Sequence, residues 1–181
     1  LSRYASGEVL SDIKEYNTQE TLLAKIKEEK LDIDSETPLE NLGYGNLVDQ
    51  LYKKVARPNV VNPIFLTEHP ISLSPLARAN DDNPEITDRF QLVINGAEII
   101  NAYSELVDPQ EQERRLEVQA ALKDNGDEEA MPMDHDYISA MEYGMPPISG
   151  WGMGIDRIVQ LLTNSENIKD VVMFPLMKPN D

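Results

Sequence analysis

Three glycines alternate along one short stretch near the end of the sequence, and an arginine follows them. Gly150, Gly152 and Gly154 occupy every second position, and Arg157 comes three residues after the last of them. On a β-strand, alternate glycines leave one face without side chains, so a flat ring or a phosphate can lie directly against the backbone. This spacing is what a nucleotide site needs.

Arg157 falls in the first turn of a helix that is predicted from residue 155 onward. A cation at a helix N-terminus opposes the helix dipole unless an anion lies nearby. A triphosphate would satisfy both Arg157 and the free N–H groups of the helix end. The alternative is structural: the glycines would let the helix pack closely on the sheet, and Arg157 would pair with a carboxylate.

A second group of polar residues lies on a predicted β-hairpin between residues 86 and 105. Asn95 and Gly96 form the dipeptide that most readily adopts the two positive φ angles of a type I′ turn. A two-residue turn at this position pairs Val93 with Glu98. Gln91 and Glu98 then share one face of the sheet as diagonal neighbours.

Asn101, Tyr103 and Glu105 follow at alternate positions on the second strand of this hairpin. Each is an odd number of residues away from Glu98, so regular alternation along the strand would put them on the opposite face of the sheet. Two structural alternatives stay open from the residues alone: Glu98 can be an ordinary solvated acid, and Tyr103 can belong to the core.

The remaining elements have to position these two groups. Helices are predicted over residues 18–30, 46–57, 109–124 and 135–143, and again from residue 155. Thr18 and Asp134 are the expected N-caps, and Pro58 ends the second helix. Residues 64–66 add a short strand. The last helix is expected to turn its apolar positions toward a core.

The composition excludes several classes of site. A formal charge of −17, from 33 acidic and 16 basic residues, disfavours a broad nucleic-acid platform, because phosphate binding needs Lys and Arg. The lack of cysteine excludes disulfides and cysteine-ligated zinc, and two histidines are too few for a histidine site. Without a long apolar run or a signal peptide, a soluble cytoplasmic protein with no membrane contact is expected. The first residue is Leu1, which suggests that the sequence begins inside a longer protein.

The glycine segment resembles a known motif. Residues 150–157 are similar to motif 3 of class II aminoacyl-tRNA synthetases, in which the arginine contacts the γ-phosphate of ATP. Further stretches, in order along the chain, are similar to lysyl-tRNA synthetases: SPLAR at 74–78, TDRF at 87–90, NAYSEL at 101–106, GDEEAM at 126–131 and EYGMPP at 142–147.

The resemblance covers about residues 63–179, more than half of the chain, and implies an α+β fold. The chain would contain a portion of the class II synthetase antiparallel sheet flanked by helices. Residues 63–181 would be the C-terminal part of the catalytic domain. Residues 1–62 would be a helical segment that leads into it, within one compact unit.

The resemblance also implies a role for each candidate residue. The ATP-binding residues would be Gly152, Gly154, Arg157 and Glu98, and the lysine-binding residues would be Asn101, Tyr103, Glu105 and Gly150. Arg157 would be the catalytic group. Glu105 would offset the desolvation of the lysine ammonium, and Tyr103 would lie along its aliphatic stem.

Gln91 departs from the family pattern. In lysyl-tRNA synthetases, two acidic residues on adjacent strands hold magnesium ions, and the matching positions here are Gln91 and Glu98. The neutral amide oxygen of glutamine coordinates magnesium poorly compared with a carboxylate. One magnesium ion at Glu98 is expected, and further ions at Gln91 are in question.

The implied roles require a β-bulge. If Glu98, Asn101 and Glu105 serve one site, an extra residue must reverse the parity between Glu98 and Asn101. Residues 99–100 are the expected position of this bulge, and regular pairing through this stretch would contradict it.

The implied reaction is ATP-dependent activation of lysine to lysyl-adenylate and its transfer to tRNA(Lys) by a full-length homodimer. Catalysis would come from positioning and charge neutralisation, with no protein nucleophile. Motif 1, the motif 2 arginine and the anticodon-binding barrel are not found before residue 63. The 181-residue chain alone is therefore expected to be inactive, with tRNA bound mainly by the part that the sequence lacks.

Two other functions remain open at this stage. A synthetase paralogue would adenylate lysine or a lysine analogue and pass it to a protein instead of tRNA. A non-catalytic binding module would keep the fold without the reaction, and the change at Gln91 would be its first sign.

Overall fold

A computed structural model describes residues 15–176 as an α+β fold, as predicted. Its antiparallel sheet has the strand order β1-β2-β3-β4. The strands are β1 (Ile64–Leu66), β2 (Arg89–Ile94), β3 (Ala97–Ser104) and β4 (Ser149–Met153). The α-helices are α1 (Gln19–Glu28), α2 (Tyr44–Leu51), α3 (Pro109–Asp124), α4 (His135–Glu142) and α5 (Ile155–Thr163). Among these residues, no helix combines the length and the apolar character needed to cross a lipid bilayer.

The N-caps of two helices agree with the prediction. The Thr18 hydroxyl accepts a hydrogen bond from the backbone N–H of Thr21 at the start of α1. The Asp134 carboxylate accepts one from the N–H of Tyr137 at the start of α4. Each cap satisfies an N–H group that has no partner within its helix.

The second predicted helix differs from the prediction in its ends. It starts at Tyr44, and a π-helical turn over Tyr52–Ala56 continues it to a 3₁₀ turn over Arg57–Asn59. Pro58 has no N–H for the carbonyl four residues earlier, and its ring excludes a further α-helical turn. The helix therefore changes to π-helical hydrogen bonding before Pro58 instead of ending at that residue.

Two hydrophobic clusters pack the helices. The first is buried between α1 and α2 and consists of Leu22, Ile26, Leu42, Leu47, Val48 and Leu51. The second joins α3 to α4 and consists of Leu116, Ile138 and Met141. The π-helical turn that follows α2 lies beside Gln91, Val93 and Glu98 of the sheet.

Asp127 connects the first helices to the rest of the chain. Its carboxylate is fully buried and accepts hydrogen bonds from the backbone N–H of Gly43 (2.8 Å) and from the Asn46 side chain (2.9 and 3.1 Å). Gly43 is the N-cap residue of α2 and has no side chain to cap it. A carboxylate that is distant in sequence therefore caps this helix.

Replacing Asp127 with alanine is expected to lower the free energy of unfolding by about 3 kcal/mol, because the buried N–H of Gly43, the half-buried Asn46 amide and the N–H of Glu129 lose their acceptor. Urea denaturation of the variant and the parent protein measures this difference. Glu128→Ala, at the exposed neighbouring position, is the matched control and should change the stability by less than about 0.5 kcal/mol. Equal losses in the two variants would contradict the capping role.

The expectation for α5 was wrong in one respect. None of its residues is buried, and Ile155 and Leu162 are 60% and 79% exposed. Within residues 15–176 the helix touches mainly β3 and the 3₁₀ turn Ile168–Asp170. Amphipathic spacing predicts which side of a helix is apolar, but not which element covers it.

Candidate active site

The hairpin β2–β3 forms one wall of the candidate site. Asn95 and Gly96 have φ angles of 50° and 70°, as a type I′ turn requires, and Val93 pairs with Glu98. The predicted turn and pairing are confirmed. Gln91 and Glu98 lie on the same face, because the Gln91 amide donates a hydrogen bond to the Glu98 carboxylate (Nε2 to Oε2, 2.6 Å).

The predicted β-bulge is also confirmed. Val93 pairs with Glu98, whereas the preceding Leu92 pairs with Ile100, so Ile99 is the extra residue. The insertion reverses the parity of every later side chain on β3. Asn101 pairs directly with Gln91 and therefore lies on the face that carries Glu98.

Two rows of paired residues cross this face of the sheet. Direct partners on neighbouring strands point their side chains to the same side. The first row contains Arg89, Tyr103 and Gly150, and the second contains Gln91, Asn101 and Gly152. The structure thus brings the candidate residues of the hairpin beside the glycine strand β4, which no local pattern could establish.

The glycines of β4 differ in what they leave room for. A Cβ atom at Gly150 would stand 2.8 Å from Oε1 of Glu105, so only glycine lets this carboxylate lie across the strand. A Cβ atom at Gly152 would meet nothing within 4 Å, and one at Gly154 would meet the side chain of Arg157 at 3.2 Å. Close packing of a helix on the sheet therefore does not explain why residue 152 is a glycine. Its missing side chain leaves open space over the backbone.

Arg157 lies at the start of α5, next to the bulge. Its Nη1 donates to the backbone oxygen of Glu98 (2.6 Å), and the N–H of Gly154 donates to the oxygen of Ile99 (3.0 Å). The side chain is exposed and forms no salt bridge within residues 15–176. This differs from the structural alternative, in which Arg157 would pair with a carboxylate. Its remaining N–H donors can reach an anion over the sheet.

Arg89 is a site residue that the sequence analysis did not assign. Its Nε donates to Oδ1 of Asn101 (3.1 Å), and its Nη1 donates to the hydroxyl of Ser74 (2.8 Å). Burial lowers the pKa of the guanidinium, whereas the carboxylates of Glu98 and Asp49 act in the opposite direction. Arg89 and Gln91 are two residues apart on β2, so their side chains point to the same face of the sheet. This spacing could have identified Arg89 as a site residue.

His69 is the second residue that was missed. It is 4% exposed, and its Nε2 lies 3.4 Å from Oε1 of Gln91. Burial, with the nearby charge of Arg89, lowers the pKa of the imidazole. It enters the site from a loop before the sheet strand β2, and no spacing in the sequence points to this contact.

Glu105 and Tyr103 form the less polar end of the site. Burial raises the pKa of the Glu105 carboxyl, and burial together with Glu105 raises the pKa of Tyr103. A cavity of about 200 Å³ adjoins Tyr103, and Ala77, which pairs with Glu105 in an isolated β-bridge, also lines it. Its lining consists of Leu73, Ser74, Pro75, Leu76, Ala77, Arg89, Asn101, Tyr103 and Met131. A partly buried carboxylate beside an apolar cavity suits a ligand with an alkyl stem and a terminal cation.

The donor set fits a weakly held magnesium ion. Among residues 15–176, no three His, Cys, Asp or Glu side chains converge into a metal cage. Glu98 can supply one carboxylate oxygen, and phosphates and water would complete the octahedron, which is how Mg²⁺ is commonly held beside nucleotides. Gln91 turns its N–H group toward Glu98, so its amide oxygen is not directed at the same ion.

Comparison with known proteins places this arrangement in a family context. A family model described as class II tRNA synthetases (D, K and N) matches residues 4–178. A lysine–tRNA ligase of Cronobacter sakazakii is 52% identical over 137 residues, which are 76% of this chain and 27% of that protein. The lysine–tRNA ligases of Helicobacter hepaticus and Aliarcobacter butzleri are both 46% identical, over 90% and 98% of this chain and over 30% and 34% of their own lengths. The chain thus spans about a third of the length of these curated relatives.

Proposed function

The chain belongs to the family of class II tRNA synthetases (D, K and N), and we propose that it forms part of the catalytic domain of a lysine–tRNA ligase. The full-length protein would activate lysine with ATP to lysyl-adenylate and transfer it to tRNA(Lys). The observation that carries the proposal is the bulge at Ile99. It brings Glu98, Asn101 and Tyr103 to one face of the sheet, next to the open strand at Gly152.

The lysine site is assigned to the face formed by β3 and β4. Glu105 would pair with the lysine ammonium, and Tyr103 would lie along its methylene groups, each contributing about 0.8 kcal/mol when buried. Asn101, which is held by Arg89, would bond the polar groups of the amino acid. Gly150 would belong to the same pocket because its lack of a side chain admits the Glu105 carboxylate.

The ATP site is assigned to the part of the sheet around Gly152 and to the start of α5, next to the lysine site. Gly152 and Gly154 would allow the nucleotide to approach the backbone, and the N–H groups at the start of α5 would face phosphate oxygens. Arg157 would stabilise the negative charge that develops as the phosphate bonds rearrange. Glu98 would hold a magnesium ion that neutralises phosphate charge.

The wider organisation is proposed from the family. Residues 1–62 would lead into the catalytic part at 63–181 as one unit, which the Asp127 cap of α2 supports. The full-length protein would act as a homodimer in the cytoplasm and bind tRNA(Lys) mainly through segments outside this chain. The arginine that would hold the α-phosphate belongs to motif 2 of the family, which is not found before residue 63, so the chain alone would not turn over.

Lysine-dependent ATP–pyrophosphate exchange tests the proposal. The full-length protein is expected to catalyse the exchange with lysine and then to aminoacylate tRNA(Lys), whereas the isolated 181-residue chain gives no exchange. Exchange without tRNA charging would favour a paralogue that modifies a protein. A full-length protein that folds and binds neither lysine nor ATP would be a non-catalytic module, contrary to the proposal.

A further inference from the structure

Three side chains form a continuous polar chain behind the candidate metal position. His69 contacts Gln91 (Nε2 to Oε1, 3.4 Å), and Gln91 contacts Glu98 (Nε2 to Oε2, 2.6 Å). The buried histidine is thus linked to the one carboxylate that would bind magnesium. The link runs entirely through the Gln91 amide.

The chemistry of the three groups fixes the orientation of the Gln91 amide. An ionised carboxylate can only accept hydrogen bonds, so Gln91 must turn its NH₂ group toward Glu98. The amide oxygen then faces His69, so Nε2 of the ring must carry a proton to donate to it. Its other nitrogen, Nδ1, is buried and has no hydrogen-bond partner within residues 15–176.

The inner side of the pair has no room for a hydrated cation. A cavity of only about 30 Å³ lies there, between Gln91, Glu98 and the π-helical turn, and Asp49, Lys53 and Arg57 also line it. Lys53 forms a salt bridge with Asp49 (2.7 Å), and two basic side chains repel a metal ion. Oε1, which receives no hydrogen bond from Gln91, is then the Glu98 oxygen left for a cation.

We propose that the Gln91 amide replaces a cation beside Glu98, that His69 is the positioning residue that fixes this amide, and that the site holds a single magnesium ion through Oε1. The inference rests on the proposed function and deepens it. The NH₂ group satisfies Oε2 without bringing a second charge into the site. Magnesium binding is thereby restricted to one carboxylate oxygen, and phosphates and water supply the other ligands.

Counting of bound Mn²⁺ tests the proposal without relying on activity. Electron paramagnetic resonance gives the number of Mn²⁺ ions bound per subunit of the full-length protein at saturating lysine and AMP-PNP. The wild type is expected to bind one, and Gln91→Glu is expected to bind two, because two adjacent carboxylates need a cation between them. Gln110→Glu adds the same charge at an exposed position of α3 and should still bind one.

His69 variants test the positioning role. His69→Phe keeps a ring but cannot hold the amide oxygen, so Oε2 of Glu98 is released and Mn²⁺ affinity should rise about three- to tenfold. His69→Gln places an N–H donor where Nε2 lies and should restore the wild-type affinity. Should the phenylalanine variant fail to fold, Gln91→Leu removes the same amide without adding charge and is expected to give the same increase.

Several outcomes would overturn the inference. A single Mn²⁺ ion in Gln91→Glu would show that the amide does not replace a cation. Equal Mn²⁺ affinities in the phenylalanine and glutamine variants of His69 would remove its positioning role. Lysine-dependent exchange by the wild type is measured alongside. No exchange at all would show that the proposed function has failed. Normal exchange, with Mn²⁺ binding unchanged in the variants, would show that only this inference has failed.

Discussion

Replacing Arg157 with alanine in the full-length protein is expected to lower kcat for lysine-dependent ATP–pyrophosphate exchange by about 100- to 1000-fold, the loss typical of a group that stabilises developing charge. The guanidinium is exposed at the first turn of α5, and one of its nitrogens is held by the backbone oxygen of Glu98. Its other donors are therefore pre-positioned beside the candidate metal ligand. The KM for lysine should change little, because Arg157 is assigned to the phosphates of ATP and not to the proposed lysine pocket.

Two further variants separate charge from geometry at this position. Arg157→Lys keeps the positive charge but loses the planar fork, so an intermediate loss is expected. Arg114→Ala removes an arginine from the exposed side of α3, where it pairs with Glu111, and should leave kcat unchanged. Wild-type exchange by Arg157→Ala would rule out contact of this residue with the reacting phosphates.

Replacing Glu105 with glutamine is expected to lower kcat/KM for lysine by about 100-fold, because the lysine ammonium would lose the charge of the carboxylate proposed to pair with it while the shape of the side chain is kept. The Glu105 carboxylate lies against Gly150, where a Cβ atom would stand 2.8 Å from its Oε1. The KM for ATP should stay close to the wild-type value. Exchange kinetics with lysine and ATP varied separately measure both effects.

The pH dependence of lysine binding gives an independent check on Glu105. Burial raises the pKa of this carboxyl, so as the pH falls it becomes protonated, and hence neutral, at a higher pH than an ordinary glutamate. Lysine affinity of the wild type should therefore decrease as the pH drops through the raised pKa. Glu105→Gln should lack this dependence, and Glu113→Gln, at an exposed position on α3, should retain it. An unchanged pH profile in Glu105→Gln would assign the ammonium to another group.

Local sequence determined the hairpin and its faces. The dipeptide Asn95-Gly96 adopts positive φ angles at low cost, and this fixes which residues pair near the turn. Parity then showed that Glu98 and Asn101 could share a face only through a bulge, and the inserted residue is Ile99. These features are predictable because turn geometry and strand alternation depend on residues that are close together in the chain.

The tertiary structure decided the contacts between distant segments. Arg89 meets Ser74, and His69 meets Gln91, because loops before the hairpin fold onto its face. Asp127 caps α2 from 84 residues away. Each of these contacts depends on where separate elements dock, and alternation or helical spacing within one element carries no information about that.

The sequence by itself therefore determined the hairpin, its bulge and the face that Glu98 and Asn101 share, whereas Arg89 and His69 were found only in the folded structure. The spacing of Gly152, for example, predicted a strand face without side chains. Only the fold showed that the space over this residue is open and is not filled by a packed helix. Likewise, the apolar side of α5 was predicted correctly as a pattern, whereas its exposure at Ile155 and Leu162 was not. The physical reason is the same in both cases: local sequence sets the direction of a side chain, and only the docking of other elements sets what it meets.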